Sequence, residues 1–266
     1  MREITPDVKY LETGTDQKPD SNGSDLSVYL NMLEKGELDI LVCDASLIPL
    51  ALNPELKIAA VLDRSNPFNV FISESVSIFE DYSGEMPIDV FSPVIKGQLI
   101  YHHPTYKYVD CERDFSICYQ RMLNDECGGF VLPAFLVETL NQQGRVVEVF
   151  NSSVCMPPPG QGAIALVTRK SDRRTGKVAG KLNNRNVYLA VTLERKFAEK
   201  VMGRGNCVGA LCSVSGAFLD FSAVIVNPDG SERIERTVSG DTDEGMDIIR
   251  KLIDRIYSAG TEASFA

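Results

Sequence analysis

Pro157-Pro158-Pro159-Gly160-Gln161-Gly162-Ala163-Ile164-Ala165-Leu166 is the stretch whose reading decides the fold. Proline fixes φ and lacks an N–H, so three in a row hold the backbone extended. Gly-Gln-Gly then supplies turning positions, and the apolar run 163–167 reads as a short buried strand. Downstream, the expected helix 187–202 carries Leu189, Leu193, Phe197 and Val201 at i, i+4 spacing. It leads into Arg204-Gly205-Asn206-Cys207-Val208-Gly209. A cysteine framed by two glycines is expected on a sterically open loop, with room for a large attached group.

Upstream, residues 5–13 read as a strand and 14–23 as a polar loop. Ser24 or Asp25 can cap a helix whose Leu26, Leu30 and Leu33 share one face, with Gly36 ending it. The run 38–43 reads as a buried strand of the parallel-sheet type. Strand, helix, strand is a βαβ unit with a right-handed crossover, and functional loops in such sheets follow the carboxyl ends of strands. Here that loop is Asp44-Ala45-Ser46-Leu47. Further strands are expected at 57–62 and 69–73. A second unit from about Ser77 has strands at 88–91, 106–109, 130–133 and 146–150. Its helical stretches are 96–101, 114–123 and 135–141, the last closed by Gly144.

After the cysteine segment, strands are expected at 213–219, 221–226 and 232–238, with Asn227-Pro228-Asp229-Gly230 as a hairpin turn. A helix over 242–258 presents Met246, Ile249, Leu252, Ile253 and Ile256. The expected fold class is α/β: two bilobal, periplasmic-binding-protein-like lobes plus a C-terminal α+β domain with an antiparallel sheet. The first lobe takes 1–75 and 160–182, the second 77–156, and the C-terminal domain 186–266, carrying Cys207.

The 266 residues suffice for two or three domains, and 44% hydrophobic with 24% charged content is ordinary for a globular chain. No apolar run approaches the ~20 residues that span a bilayer, and the N-terminus lacks a signal-peptide core. The cytoplasm is therefore the expected location. Seven cysteines (43, 111, 118, 127, 155, 207, 212) form no Cys-x-x-Cys pair, which fits reduced thiols. His102 and His103 are the only histidines and have no partner motif, so no metal site is expected. A net charge of −10 argues against a nucleic-acid surface, although it leaves room for a local basic cleft.

Pro157, Gly160, Gln161, Gly162 and Ala163, then Glu194 and Arg195, then Gly205 and Cys207 together resemble the hydroxymethylbilane synthase (porphobilinogen deaminase) family. The resemblance of order and spacing extends over nearly the whole chain. It implies tetrapyrrole biosynthesis: stepwise condensation of four porphobilinogens into a linear tetrapyrrole, with release of ammonia. It also implies a dipyrromethane cofactor in thioether linkage to Cys207. Such chemistry needs a carboxylate to steady positive charge developing at pyrrole nitrogens, and arginines whose forks match acetate and propionate groups.

Several positions depart from the family pattern. Its His-Ser-x-Lys-Asp-x-Pro loop falls on residues 43–49, so its lysine becomes Ser46 and its catalytic aspartate Leu47. Leucine cannot hydrogen-bond a pyrrole N–H. Asp44 is the candidate substitute carboxylate, against the plainer reading of a loop or cap residue. The Gly-Thr-Ser-Ser-x-Arg-Arg segment falls on 90–96 and keeps one cation, Lys96. Leu-Arg-Gly-Asn falls on 112–115 and keeps Arg113, while a further arginine becomes Tyr119. Lys96 and Arg113 are therefore the candidate substrate contacts, against the reading of solvated surface cations. The family's first βα element is expected to be missing, and its Gly-Lys-Gly-x-Phe loop falls on Ser21–Asp25. Asn206 replaces a glycine and Ala210 a proline beside the cysteine.

Two readings follow. One is a hydroxymethylbilane synthase, a transferase, acting as a monomer on a small pyrrole substrate with no nucleic acid or membrane partner. The other is a catalytically inactive relative that binds a tetrapyrrole precursor or a partner protein, with the cofactor absent as one of its forms. A small-ligand binding protein of bilobal type is a third, but leaves the Cys207 domain unexplained.

Overall fold

The computed structural model describes residues 25–201 and 206–257. The expected strand 5–13, the loop 14–23, the cap at Ser24, Arg204, Gly205 and Ser258 lie outside the described residues. Helix α1 (Asp25–Lys35) buries Leu30 and Leu33, and Gly36 closes it at φ +79°. Strands β1 (Leu41–Asp44) and β2 (Leu56–Arg64) follow. Strand β3 (Asn69–Ile72) lies in the expected 1–75 segment but hydrogen-bonds into the second sheet.

That second sheet also holds β4 (Ile88–Val90), β5 (Tyr108–Asp110), β6 (Gly129–Pro133) and β7 (Val146–Val149), in the order β5-β4-β6-β3-β7. β4 is parallel to both neighbours, whereas β3 is antiparallel to β6 and β7. Two crossover helices cover it. α2 (Pro93–His102) buries Val94, Ile95 and Leu99, and α3 (Phe115–Leu123) buries Phe115, Cys118 and Met122. Asp114 caps α3 by accepting from the Ile117 N–H at 3.0 Å. Helix α4 (Ala134–Thr139) stops short of the expected end, and Asn141 at φ +55° takes the left-handed turn assigned to Gly144. Asparagine tolerates that conformation.

The chain then returns to the first lobe as β8 (Ala163–Arg169), the centre of a sheet ordered β1-β8-β2. Here the expectation of a parallel, doubly buried strand at 38–43 is corrected. β1 begins at Leu41, pairs antiparallel with β8, and leaves Val42 59% exposed. Strand direction depends on the partner. β8 arrives from the opposite lobe and so runs against β1, which no local pattern reports.

Helix α5 (Arg173–Ala179) and the long α6 (Arg185–Val201) lead to the C-terminal domain. There β9 (Cys207–Ser215), β10 (Phe218–Val226) and β11 (Arg233–Asp241) form an antiparallel sheet closed by α7 (Gly245–Tyr257). Leu193, Phe197 and Val201 of α6 pack with Phe221, Ile225, Ile249 and Leu252 in one core. The expected strand 213–219 runs through a turn, since Gly216 takes φ +61°. Gly230 closes the second hairpin as the Asn-Pro-Asp-Gly motif predicts, donating to the Asn227 carbonyl at 2.9 Å.

Two segments cross between the lobes, 65–68 and 150–162, and they bond to each other: the Ser65 N–H donates to the Gly162 carbonyl at 2.8 Å. Gly162 has φ +77°, and a Cβ there would stand 3.1 Å from the Ser65 and Asn66 carbonyl oxygens. Gly160, at φ +83°, would press a Cβ 3.0 Å from that of Ala45. The buried Gln161 side chain between them donates to Pro67 O at 2.7 Å and Asn69 Oδ1 at 2.9 Å.

Glu194 of α6 ties this crossing to everything else. Its fully buried carboxylate accepts from Arg64 Nη1 at 2.5 Å and Nη2 at 3.2 Å, from the Gly160 N–H at 2.7 Å and from the Cys212 N–H at 2.8 Å. One side chain thus joins β2, the crossing segment and β9. Removing one partner of a buried ion pair strands the other, typically at a cost of about 3–5 kcal/mol. Glu194→Ala is expected to lower the unfolding free energy measured by urea titration by that order, with Glu194→Gln losing less; an unchanged value for both would remove this role.

Candidate functional site

β1 ends at Asp44, at the head of a one-turn helix over Ala45–Leu47. Asp44 Oδ1 accepts from the Ser46 N–H at 2.9 Å and from the Ser46 hydroxyl, while Oδ2 accepts from the Gly162 N–H at 2.9 Å. The residue is 7% exposed. Arg195 pins the same loop from α6, donating to the carbonyls of Ala45 (3.2 Å), Ile48 (2.8 Å) and Pro49 (2.7 Å). Asp44 therefore spends both oxygens on holding backbone. Leu47 is half exposed on this loop and offers no polar atom.

Arg113 reaches this loop from the second lobe. Its Nη2 lies 3.7 Å from Asp44 Oδ1 and its Nη1 donates to Ser46 Oγ at 3.4 Å. The guanidinium sits 5.2 Å from the ring centroids of both Phe91 and Phe135, a cation–π arrangement. Nε and Nη2 are buried and have no hydrogen-bond partner. Burial pulls the guanidinium below its usual range and Asp44 offsets part of that. A buried, aromatic-flanked fork with two idle donors suits a carboxylate, because such forks bind carboxylates bidentately.

The remaining candidates lie elsewhere. Lys96, on α2, is paired with Asp110 at 3.1 Å, which neutralises it at the end of β5. Cys207 is the first residue of β9, opposite Val226, and not a loop residue; this corrects the open-loop expectation. Gly209 is packed as well, since a Cβ would meet Met156 and Val224 at 2.9 Å. Cys207 is half-buried against the second-lobe core that includes Val226 and Cys155, and burial raises its thiol above the ordinary value. Its neighbour Asn206 is 8% exposed, with Nδ2 and Oδ1 both buried and unpartnered.

The structure thus brings Asp44 and Arg113 together, joined by Ser46, Phe91 and Phe135, which sequence reasoning did not single out. No local signal marks them: the two aromatics come from separate strand and helix ends of the second lobe. An idle guanidinium between the lobes fits a carboxylate-bearing group, and the idle Asn206 amide offers donors and an acceptor next to the half-buried Cys207. Cys212, by contrast, is buried in the C-terminal core, and burial pushes its thiol up to about 12. Among the described residues, no cluster of three or more His, Cys, Asp or Glu is placed to hold a metal, and no helix is long and apolar enough to cross a membrane.

A family model described as "Porphobilinogen deaminase, dipyromethane cofactor binding domain" matches residues 14–177, more than half of the chain. Curated relatives carry the same name. The protein from Acidothermus cellulolyticus is 28% identical over 236 residues, 86% of this chain and 71% of its own length. That from Thermus thermophilus is 28% identical over 268 residues, covering 96% and 89%. The one from Syntrophomonas wolfei is 25% identical over 271 residues, covering 98% and 88%. Among solved structures, the methionine-binding protein MetQ aligns with a TM-score of 0.42 at 12% identity, over 59% of this chain and 75% of that one.

Leaving a buried polar group unpaired costs roughly 1–3 kcal/mol. Asn206→Ala is accordingly expected to raise the unfolding free energy of the ligand-free protein by up to that order, and with it the denaturation midpoint. A lowered midpoint would mean that the amide is satisfied and holds no idle bonding capacity.

Proposed function

The chain belongs to the porphobilinogen deaminase family, and from that premise we propose that it holds a linear pyrrole through Cys207 and Arg113 while condensing pyrroles slowly or not at all. The observation that carries this reading is that the Asp44 carboxylate is committed to its own loop and to the Gly162 N–H. Its oxygens are taken by Ser46 and Gly162, and the position matching the family's catalytic aspartate is Leu47.

Each residue has a role in this reading. Cys207 Sγ is the attachment atom for the dipyrromethane. Burial keeps that thiol protonated near neutrality, so attachment is faster at higher pH, where more thiolate is present. Asn206 offers one amide donor pair and one carbonyl acceptor next to the attachment point. Arg113 offers Nε and Nη2 to an acetate or propionate group, held in plane by Phe91 and Phe135. The dipyrromethane, when bound, supplies the fixed end to which further pyrroles are joined. Lys96, paired with Asp110, is at most a secondary contact. A monomer in the cytoplasm, with no nucleic acid or membrane partner, completes the proposal.

A second reading is favoured by the 3.7 Å approach of Asp44 to Arg113. If an arriving ligand carboxylate takes over Arg113, Asp44 faces the same cleft and serves as the carboxylate of an active hydroxymethylbilane synthase.

Intact mass and turnover separate the two. Supplied with hydroxymethylbilane, a preformed linear tetrapyrrole, the protein is expected to gain a covalent pyrrole adduct with loss of water, and Cys207→Ser to gain none. Losing a charged hydrogen bond costs on the order of 1.5–3 kcal/mol, so Arg113→Ala is expected to weaken pyrrole-carboxylate binding roughly 10- to 100-fold. Porphobilinogen consumption stays near background in the wild type and rises in Leu47→Asp, which restores a carboxylate at an exposed position. Normal turnover that Asp44→Asn abolishes selects the second reading; a mass gain that survives Cys207→Ser defeats both.

A further inference from the structure

Cys111 follows β5 at the edge of the second lobe, and Cys118 lies in the second turn of α3. Their sulfurs are 3.7 Å apart. Among the described residues no other pair of cysteine sulfurs makes such a contact. Both ends are held: the Cys111 N–H donates to the Val90 carbonyl at 3.1 Å, and the Cys118 N–H donates to the Asp114 carbonyl at 3.1 Å. Cys118 is fully buried, its thiol also 3.5 Å from the Glu112 carbonyl, whereas Cys111 is partly exposed. An accessible thiol backed by a buried one is the arrangement of an attacked cysteine and its resolving partner.

We propose that Cys111 and Cys118 are an oxidisable dithiol that alkyl or hydrogen peroxides convert into an intramolecular disulfide. The Cys111 thiolate attacks the terminal peroxide oxygen, breaking the O–O bond. The sulfur becomes a sulfenic acid and the alkoxide leaves as an alcohol after taking up a proton. The Cys118 sulfur then attacks the Cys111 sulfur, the S–O bond breaks, and water departs. Two thiols and one hydroperoxide thus give one disulfide, one alcohol and one water. The sulfurs need close from 3.7 Å to about 2.05 Å. Hydrogen bonding to Cys118 and burial both hold Cys111 in its thiol form, so the reaction is slow and needs excess peroxide. The bond closes the short loop that carries Arg113, placing an oxidation site at the base of the interlobe cation.

Peptide mapping tests it on the wild-type chain. The native protein is treated with excess tert-butyl hydroperoxide, quenched, denatured, alkylated and cut with trypsin after Lys107, Arg113 and Arg121. The expected product joins peptide 108–113 to peptide 114–121, lighter by about 2 Da than the two reduced peptides and released by reductant. Alkylation is lost at Cys111 and Cys118 together. With Cys118→Ser, Cys111 stops at the sulfenic acid and is captured by a 1,3-diketone. The proposal is overturned if both cysteines stay fully alkylatable once Cys43 and Cys207 have reacted, or if Cys111 is found joined to Cys127 or to a second chain. The mapping on unsubstituted protein decides the matter even where the serine variant fails to fold.

Discussion

Four hydrogen bonds to the buried carboxylate of Glu194 hold the molecule's parts in register. Arg64 supplies two of them from β2, Gly160 one from the crossing segment and Cys212 one from β9. A carboxylate removed from water is tolerable only when its lone pairs are filled, so these three elements must meet at one point. That requirement explains the glycine at 160: a side chain there would strike Ala45 just where the backbone N–H must turn toward Glu194. Arg64 extends the cluster by donating from Nε to the Gln161 carbonyl at 3.0 Å.

The same convergence shapes the cleft. Gly162, two residues beyond Gly160, presents its N–H to Asp44, so the turn that serves Glu194 also commits Asp44 to a structural duty. Arg195, adjacent to Glu194 on α6, clamps the loop that follows Asp44. A pair of neighbouring helix residues therefore sets both the joint between lobes and the loop that follows Asp44. The cleft thus holds the Arg113 cation beside a carboxylate committed to backbone. Arg113 is left with Asp44 at 3.7 Å and two idle donors.

Legibility in the sequence followed the range of the forces involved. Helix α6 and its apolar stripe, the Gly36 stop and the Asn-Pro-Asp-Gly hairpin rest on neighbours within a few residues, and each could be read directly. Strand orientation could not, because β1 takes its direction from β8, more than a hundred positions away. The glycines around Cys207 suggested an open loop; packing against Met156 and Val224 shows that Gly209 is small because the space is filled. The partners of Arg113 were invisible for a like reason, since Phe91 and Phe135 are ordinary aromatics until the fold brings both rings to 5.2 Å from a guanidinium.

By itself, the order of residues determined the class of fold and the family, since these are recorded in identity and short-range spacing. Only the tertiary structure decided what the surviving polar groups are doing. It occupied Asp44, neutralised Lys96, left Arg113 and Asn206 with unused bonding capacity, and set two sulfurs side by side. Those outcomes depend on which group fills which lone pair across distant segments, and a buried polar atom takes its character from the partner it finds.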